Sequence, residues 1–229
     1  MSIRTATPLQ LQAHAALRQM ILDGHFQPGV IYSERRISEE LGISRTPLRD
    51  AIHRLAQEGY IDVIPSKGFQ LHDMTREDLL HTYEIRCALE GFCVVRIANL
   101  INTQNAKKAL HALESLILDQ KKAAASGDID SFAAYDTEFH NRIVNFVDNP
   151  LFTETFEVYR YNMHAQTLAS LKSEGRLHAT VLEHEAILNF MKAGDEWGSY
   201  NAAIRHIGMA QKLIEVENYN MHEEKLNEI

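Results

Sequence analysis

Residues 33 to 68 read SERRISEELGISRTPLRDAIHRLAQEGYIDVIPSKG, a stretch with two short helical patterns separated by a tight turn. In the first pattern Ile37 and Leu41 lie four residues apart with Glu39 and Glu40 between them, so one face is apolar and the other charged. Gly42 ends that helix, because glycine enters the left-handed cap conformation without a Cβ clash. Ser44 then offers a hydroxyl to the free amides of a second helix starting near Arg45, and Pro47 fits because it falls in the first turn. Leu48, Ala51, Ile52 and Leu55 make the apolar stripe of the second helix, which leaves Arg45, Thr46 and Arg49 at the N-terminal end of its open face. A helix lying in a major groove meets base edges at that end. Residues 60–64 and 69–71 are short runs of strand formers joined by the turn Ser66-Lys67-Gly68, which predicts a hairpin wing. Arginine forks match guanine O6 and N7, and a lysine beside a glycine at a wing tip suits a phosphate or a narrow groove. The alternative is a small packing domain with a solvated basic face, against which stands the grouping of the arginines at one helix end.

Asp23-Gly24, Pro28-Gly29, the run LGISRTPLR at 41–49, Glu58-Gly59 and Lys67-Gly68 together resemble the winged helix of GntR-type bacterial transcription regulators over residues 8 to 72. The resemblance implies DNA contacts by the arginine before the first helix of the pair, here Arg35, and by Arg45 and Arg49 of the second. The family's wing glycine falls on Gly68. Ser44, Thr46 and Lys67 complete the candidate DNA-binding set. One departure is Tyr32, at a core position where the family usually has leucine.

A chain of 229 residues, 45% of them hydrophobic, is more than one small domain needs, and two domains fit better. The expected division is a DNA-binding domain at 1–72, a linker at 73–76 and an effector-binding and dimerisation domain at 77–229. No run of 18 apolar residues exists and the start has no signal-peptide pattern, so no membrane contact and a cytoplasmic location are expected. Cys87 and Cys93 lie six apart on one predicted helix, too far round and along for a bridge, and are expected as reduced core residues. The net charge of −8 opposes nucleic acid, but residues 1–72 hold eight Lys and Arg against seven Asp and Glu, whereas the remainder holds fifteen against twenty-four. A near-neutral domain with its arginines on one edge can bind DNA while the acidic part stays clear of it.

Helical spacing predicts a helix at 9–23 ahead of the reader. Beyond residue 76 no strand signal appears, and helices are predicted at 76–101, 103–125, 128–147, 150–171, 177–193 and 196–218. The fold class is therefore mainly α, an N-terminal winged helix-turn-helix with a small β-hairpin followed by an all-α bundle. Ala88 to Ala98 is apolar on nearly every side, which predicts burial against the bundle on one side and a partner subunit on the other, hence a homodimer reading a short palindromic operator.

Asp136 and His140 stand i and i+4 on a helix face that also carries Phe132, Ala133, Ile143 and Val144. His184 shares its face with Ile187, Leu188 and Met191, and His206 with Ala202, Ala203 and Met209, so four polar groups point into the core. Unpartnered they would be costly there. One divalent ion held by three imidazoles and a carboxylate satisfies all four, although a single buried histidine is more often simply hydrogen-bonded. Residues 136–140, 183–187 and 202–206 resemble the ligand-bearing motifs of the FCD-type effector domain of FadR-type GntR regulators, and that resemblance implies Asp136, His140, His184 and His206 as ligands. The acyl-CoA-binding branch lacks them. Zinc is the first expectation, and nickel, manganese or iron would accept the same donors. Arg86, matching the family arginine before the Leu-Glu pair at 89–90, is expected either to bind a small carboxylate effector or to pair with Glu90, and Arg160 is a second effector candidate. The function expected is a ligand-controlled transcription regulator, a repressor rather than an enzyme. The alternatives are a metal-dependent hydrolase using Glu138, Glu183 or Glu185, and a DNA-binding protein whose metal is purely structural.

Overall fold

The computed structural model describes residues 8–209 and residue 212, and the chain divides into two compact units between Thr75 and Arg76. In the first unit α1 (Leu9–Leu22) packs on α3 (Arg45–Gln57), and α2 (Glu34–Leu41) crosses α3. Strands β1 (Ile61–Ile64) and β2 (Gly68–Leu71) form the antiparallel hairpin, with Ile61 opposite Leu71 and Ile64 opposite Gly68. Ser33 caps α2 by accepting the Arg36 N–H at 3.2 Å, and Gly42 closes it at φ 65°. Leu17, Ile37, Leu48, Ile52, Leu55, Tyr60 and Phe69 fill the core of this unit.

Tyr32 exchanges both main-chain hydrogen bonds with Phe69, at 2.7 and 3.0 Å, so the segment ahead of α2 is clipped to the hairpin. Its ring packs edge-on to Phe26 with centroids 4.7 Å apart, and its hydroxyl accepts the Gln27 N–H at 2.8 Å, which is how tyrosine serves at this position. Gly68 is obligatory at the crossing. A Cβ there would lie 2.0 Å from the Tyr32 carbonyl oxygen, and its φ is 136°.

The second unit is all helix among its described residues: α4 (Arg76–Asn99), α5 (Gln104–Ser126), α6 (Ile129–Asn145), α7 (Pro150–Val158), α8 (Arg160–Leu171), α9 (Arg176–Ala193) and the helical residues 196–209, termed α10. The predicted helix at 196–218 lies outside the described residues beyond 209, residue 212 excepted. Thr103, Asp128 and Asn149 cap α5, α6 and α7 with their side chains. The predicted single helix at 150–171 is instead two, because Tyr159 leaves helical geometry at φ −90°, ψ 1°, and Met163 starts a new ladder on the Tyr159 carbonyl. Helix α6 lies in the middle of the bundle, in contact with α4, α5, α7 and α8, while α9 packs on α4, α5 and α8. Phe132, Phe139, Ile143, Cys93, Ile97 and Leu113 form the centre of one continuous core. At Gly91 of α4 a Cβ would come within 2.8 Å of the Tyr200 ring, so the absence of a side chain lets α10 approach. No described helix is long and apolar enough to cross a membrane.

Candidate functional site

The first candidate site is a cleft of about 290 Å³ among α2, α3 and the hairpin, lined by Arg35, Arg45, Arg49, Lys67 and Gly68. Residues far apart in sequence thus share one exposed surface. Arg35 lies inside the first turn of α2 rather than ahead of it, and pairs with Glu39 at 2.9 Å. Arg49 is steadied across the helix pair by Glu34, whose Oε2 accepts from Nη2 at 3.1 Å. Ser44 occupies the N-cap of α3 but makes no capping bond, contrary to its expected role. Pro47 is the third helical residue and brings no N–H, so one of the two amides a capping serine normally engages is missing. The Ser44 hydroxyl and the free amides of Arg45 and Thr46 are left at an exposed helix start, a geometry suited to a phosphate.

The second candidate site lies in the bundle. Asp136 and His140 of α6, His184 of α9 and His206 of α10 are all buried, and one ligand atom of each lies within 4.8 Å of the others. His206 Nε2 stands 3.2 Å from both His184 Nε2 and His140 Nε2, and Asp136 Oδ1 is 3.6 Å from His184 Nε2 and 3.9 Å from His140 Nε2. The outer nitrogens fix the tautomers. His140 Nδ1 meets Glu90 Oε2 at 2.5 Å, His184 Nδ1 meets Gln120 Oε1 at 2.8 Å, and His206 Nδ1 meets Glu183 Oε2 at 2.7 Å. Each of those oxygens only accepts, so each Nδ1 carries a hydrogen, and in the neutral ring each Nε2 turns a lone pair inward. Thr167 donates to Asp136 Oδ2 at 3.0 Å, leaving Oδ1 to the centre.

Three lone pairs and a carboxylate oxygen converging with no proton among them repel one another, and a cation at their centre removes the conflict. Neighbouring nitrogens on a tetrahedral zinc with bonds of about 2.0–2.1 Å are roughly 3.3 Å apart, close to the nitrogen spacing here. The residues therefore fit a divalent ion. Burial, reinforced by the neighbouring imidazoles, holds His184 well below the ordinary imidazole pKa, and burial also lowers His206, so both are kept in the neutral form that ligates. Burial alone would raise Glu90, but Arg86 and His140 outweigh it and hold the carboxylate ionised. Glu183 is likewise brought to about 2, where burial is overcome by His206 and Arg176.

Arg86 donates from Nε to Glu90 Oε1 at 2.6 Å, so the pair expected as one of its two roles is present. That pair does not consume the guanidinium, because Nη2 is buried without a hydrogen-bond partner. Arg160 is elsewhere. It pairs with Glu157 at 3.4 Å on the exit from the α7–α8 break and does not line the cavity beside the histidines. The arginine that lines it together with Arg86 is Arg176, which binds Glu183 bidentately at 2.6 and 2.7 Å. Of the three flanking glutamates Glu183 touches a candidate ligand, at the outer Nδ1 of His206; Glu138 pairs with Arg142 and Glu185 with Lys121. Sequence patterning does not single out Gln120, Thr167 or Arg176, although Gln120 sits on the apolar stripe of Leu113, Ile117 and Ala123, where a polar residue needs a partner.

Residues 9–71 match the model of the bacterial regulatory proteins of the gntR family, and residues 81–209, more than half the chain, match the FCD domain. The chain belongs to the GntR family, with an FCD domain. Members are DNA-binding transcription regulators and not enzymes, so the hydrolase alternative drops out. This GntR regulator is 25% identical over 201 residues to the uncharacterized HTH-type transcriptional regulator YdhC of Bacillus subtilis, covering 87% of this chain and 88% of that one. It is 27% identical over 203 residues to the "Probable D-xylose utilization operon transcriptional repressor" of Paenarthrobacter nicotinovorans, covering 89% and 87%. Among solved structures, E. coli McbR/YncC shares the fold with a TM-score of 0.74 at 22% identity, over 94% of this chain and 100% of that one.

Proposed function

We propose that this regulator is a repressor that reads a short palindromic operator as a homodimer, and that a small carboxylate bound beside a divalent ion in the FCD domain controls its grip on DNA. The observation that carries the reading is the cluster of Asp136, His140, His184 and His206, of which Asp136 and His206 share a cavity wall with a buried, unpartnered Arg86 Nη2. A bound ion, zinc first, would supply positive charge for one oxygen of an acid. Arg86 supplies N–H donors for the acid, and Glu90 keeps its guanidinium oriented while also fixing His140. An acid that draws on Arg86 is therefore felt at α4 and α6 together, and helix shifts of this kind can bias the placement of two DNA readers.

For the DNA half, Arg35, Arg45 and Arg49 are assigned to base edges, with Ser44, Thr46, Lys67 and Gly68 on the backbone. For the dimer, the support is the outer face of α4. Phe92 is 51% exposed and packs edge-on to Phe152, beside Leu151 at 70% exposure, whereas Cys93, Val94 and Ile97 face the bundle.

The test pairs metal analysis with operator titration of wild type and His184→Ala, each with and without hydroxy, keto and sugar acids. His184→Ala should lose metal and the acid response while still binding operator, because the reading arginines lie in the other unit. Release of DNA by the same acid at the same concentration in the metal-free variant would mean a structural metal and overturn the reading.

A further inference from the structure

Two cavities of the bundle share a wall. The inner one, about 10 Å³, lies against Asp136 and His206 and has room for about one water. The outer one is an open groove of about 790 Å³ between α5 and α9, lined by Ala124, Ala125, Leu177, Val181 and Leu182. Leu171 and Arg176 line both. Leu171 ends α8 and Arg176 begins α9, so the wall hangs on the two ends of the short connection 172–175.

The inner cavity has polar groups with nothing to bind. Arg86 Nη2, Arg176 Nε and Thr180 Oγ1 are buried, line it and have no hydrogen-bond partner. A buried guanidinium N–H left unpaired is costly, and a carboxylate answers two guanidinium groups and a hydroxyl at once. The groove has a different chemistry. Lys121 and Glu185 neutralise each other at 2.6 Å, and Glu174 adds a negative charge that disfavours a second anionic group. Ser173, Gly175, Arg176 and His178 line the end where α9 begins, and the rest is a surface of alanine, valine and leucine, with the two alanines leaving space for a ring or a branched chain.

We infer that the effector is a monocarboxylic acid with an apolar body: Arg86 and Arg176 take its carboxylate in the inner cavity, which widens from the size of one water as the Leu171 side chain gives way, and its body lies in the groove between α5 and α9. The inference rests on the acid-controlled reading above and narrows it to a ligand class. It also gives Arg176 a role beyond holding Glu183. Its free Nε faces the acid while its two terminal nitrogens hold the carboxylate that fixes His206.

The test is calorimetric titration of the full-length, metal-loaded protein with acetate, 3-phenylpropanoate and 3-phenylpropanamide. Wild type should bind 3-phenylpropanoate at least tenfold more tightly than acetate and should not bind the amide. Ala125→Trp, at an exposed groove position, fills the space, and Leu182→Glu, also exposed, charges it. Either should bring 3-phenylpropanoate down to the acetate affinity while leaving acetate itself unchanged. Equal binding of the two acids, persistence of the difference in both variants, or tight binding of the amide would overturn the inference, with acetate binding still supporting the acid-controlled reading. Binding of neither acid would overturn both.

Discussion

The Nε2 atoms of His140 and His206 face each other at 3.2 Å across nearly parallel rings, 17° apart, with both Nδ1 hydrogens committed to carboxylates. With both rings neutral, as metal ligation requires, neither nitrogen has a proton to give the other, so the contact is repulsive until a cation lies between them. Chelation should therefore lower the thermal midpoint of the protein by on the order of 5 °C or more, restored by one equivalent of zinc, nickel or manganese. Differential scanning calorimetry with and without chelator checks this. A midpoint indifferent to chelator in protein shown to have lost its metal would remove the metal assignment.

Thr167 touches the centre only through Asp136 Oδ2, at 3.0 Å. Thr167→Val keeps the volume and removes the donor, and metal affinity should fall on the order of 10- to 100-fold. Competition against a chromogenic chelator measures this. Operator affinity of the fully loaded variant should stay at the wild-type value, and a fall there instead would mean that Thr167 supports the fold rather than the ligand.

In the DNA cleft, Arg45→Ala should cost about 1–3 kcal/mol of operator binding and relax base preference at one position of each half-site. Lys67→Ala should weaken all sequences alike and reduce the salt dependence. Selection from a randomised operator pool separates the two outcomes. If Arg45→Ala retained the wild-type preference, α3 would not be the reading helix.

The thiols give a prediction in pH. Burial raises Cys93 from its ordinary value of 9.0 to about 12, and its S–H points to the Val144 carbonyl oxygen. The folded state thus keeps a proton that the unfolded chain releases above about 9, so the contribution of Cys93 to stability is complete below that pH and is lost as pH rises towards 12. Alkylation of the native protein at pH 8 should modify Cys93 only on unfolding. Cys87 is half-buried rather than a core residue, contrary to expectation, and burial raises its pKa too, so it should react slowly. Rapid labelling of Cys93 in the folded protein would contradict the packing of α4.

Residues with a repeating local signature are legible from the amino-acid sequence alone. Asp136 and His140 announce their common face by spacing, and Gly42 and Pro47 punctuate the helix pair because their backbones permit so little else. The α7–α8 break at Tyr159 carries neither glycine nor proline, so no local rule marks it. Arg176 is hidden for a related reason. It opens a helix after an ordinary glycine, and its importance comes from Glu183 two turns on, together with His206 on another helix. The missing cap at Ser44 is legible in principle, since a proline three residues on has no amide to donate.

The clip between Tyr32 and Phe69 separates two properties of the DNA reader. Main-chain bonds of 2.7 and 3.0 Å, together with a glycine that admits no replacement at the crossing, tie the hairpin to the segment that leads into α2. The ruler of the reader, the interval between wing tip and helix pair, is therefore written in the backbone. In the proposed reading its alphabet is written in side chains at Arg35, Arg45 and Arg49, all exposed. Substitutions can respell the operator that is recognised without changing the length of DNA that one reader spans.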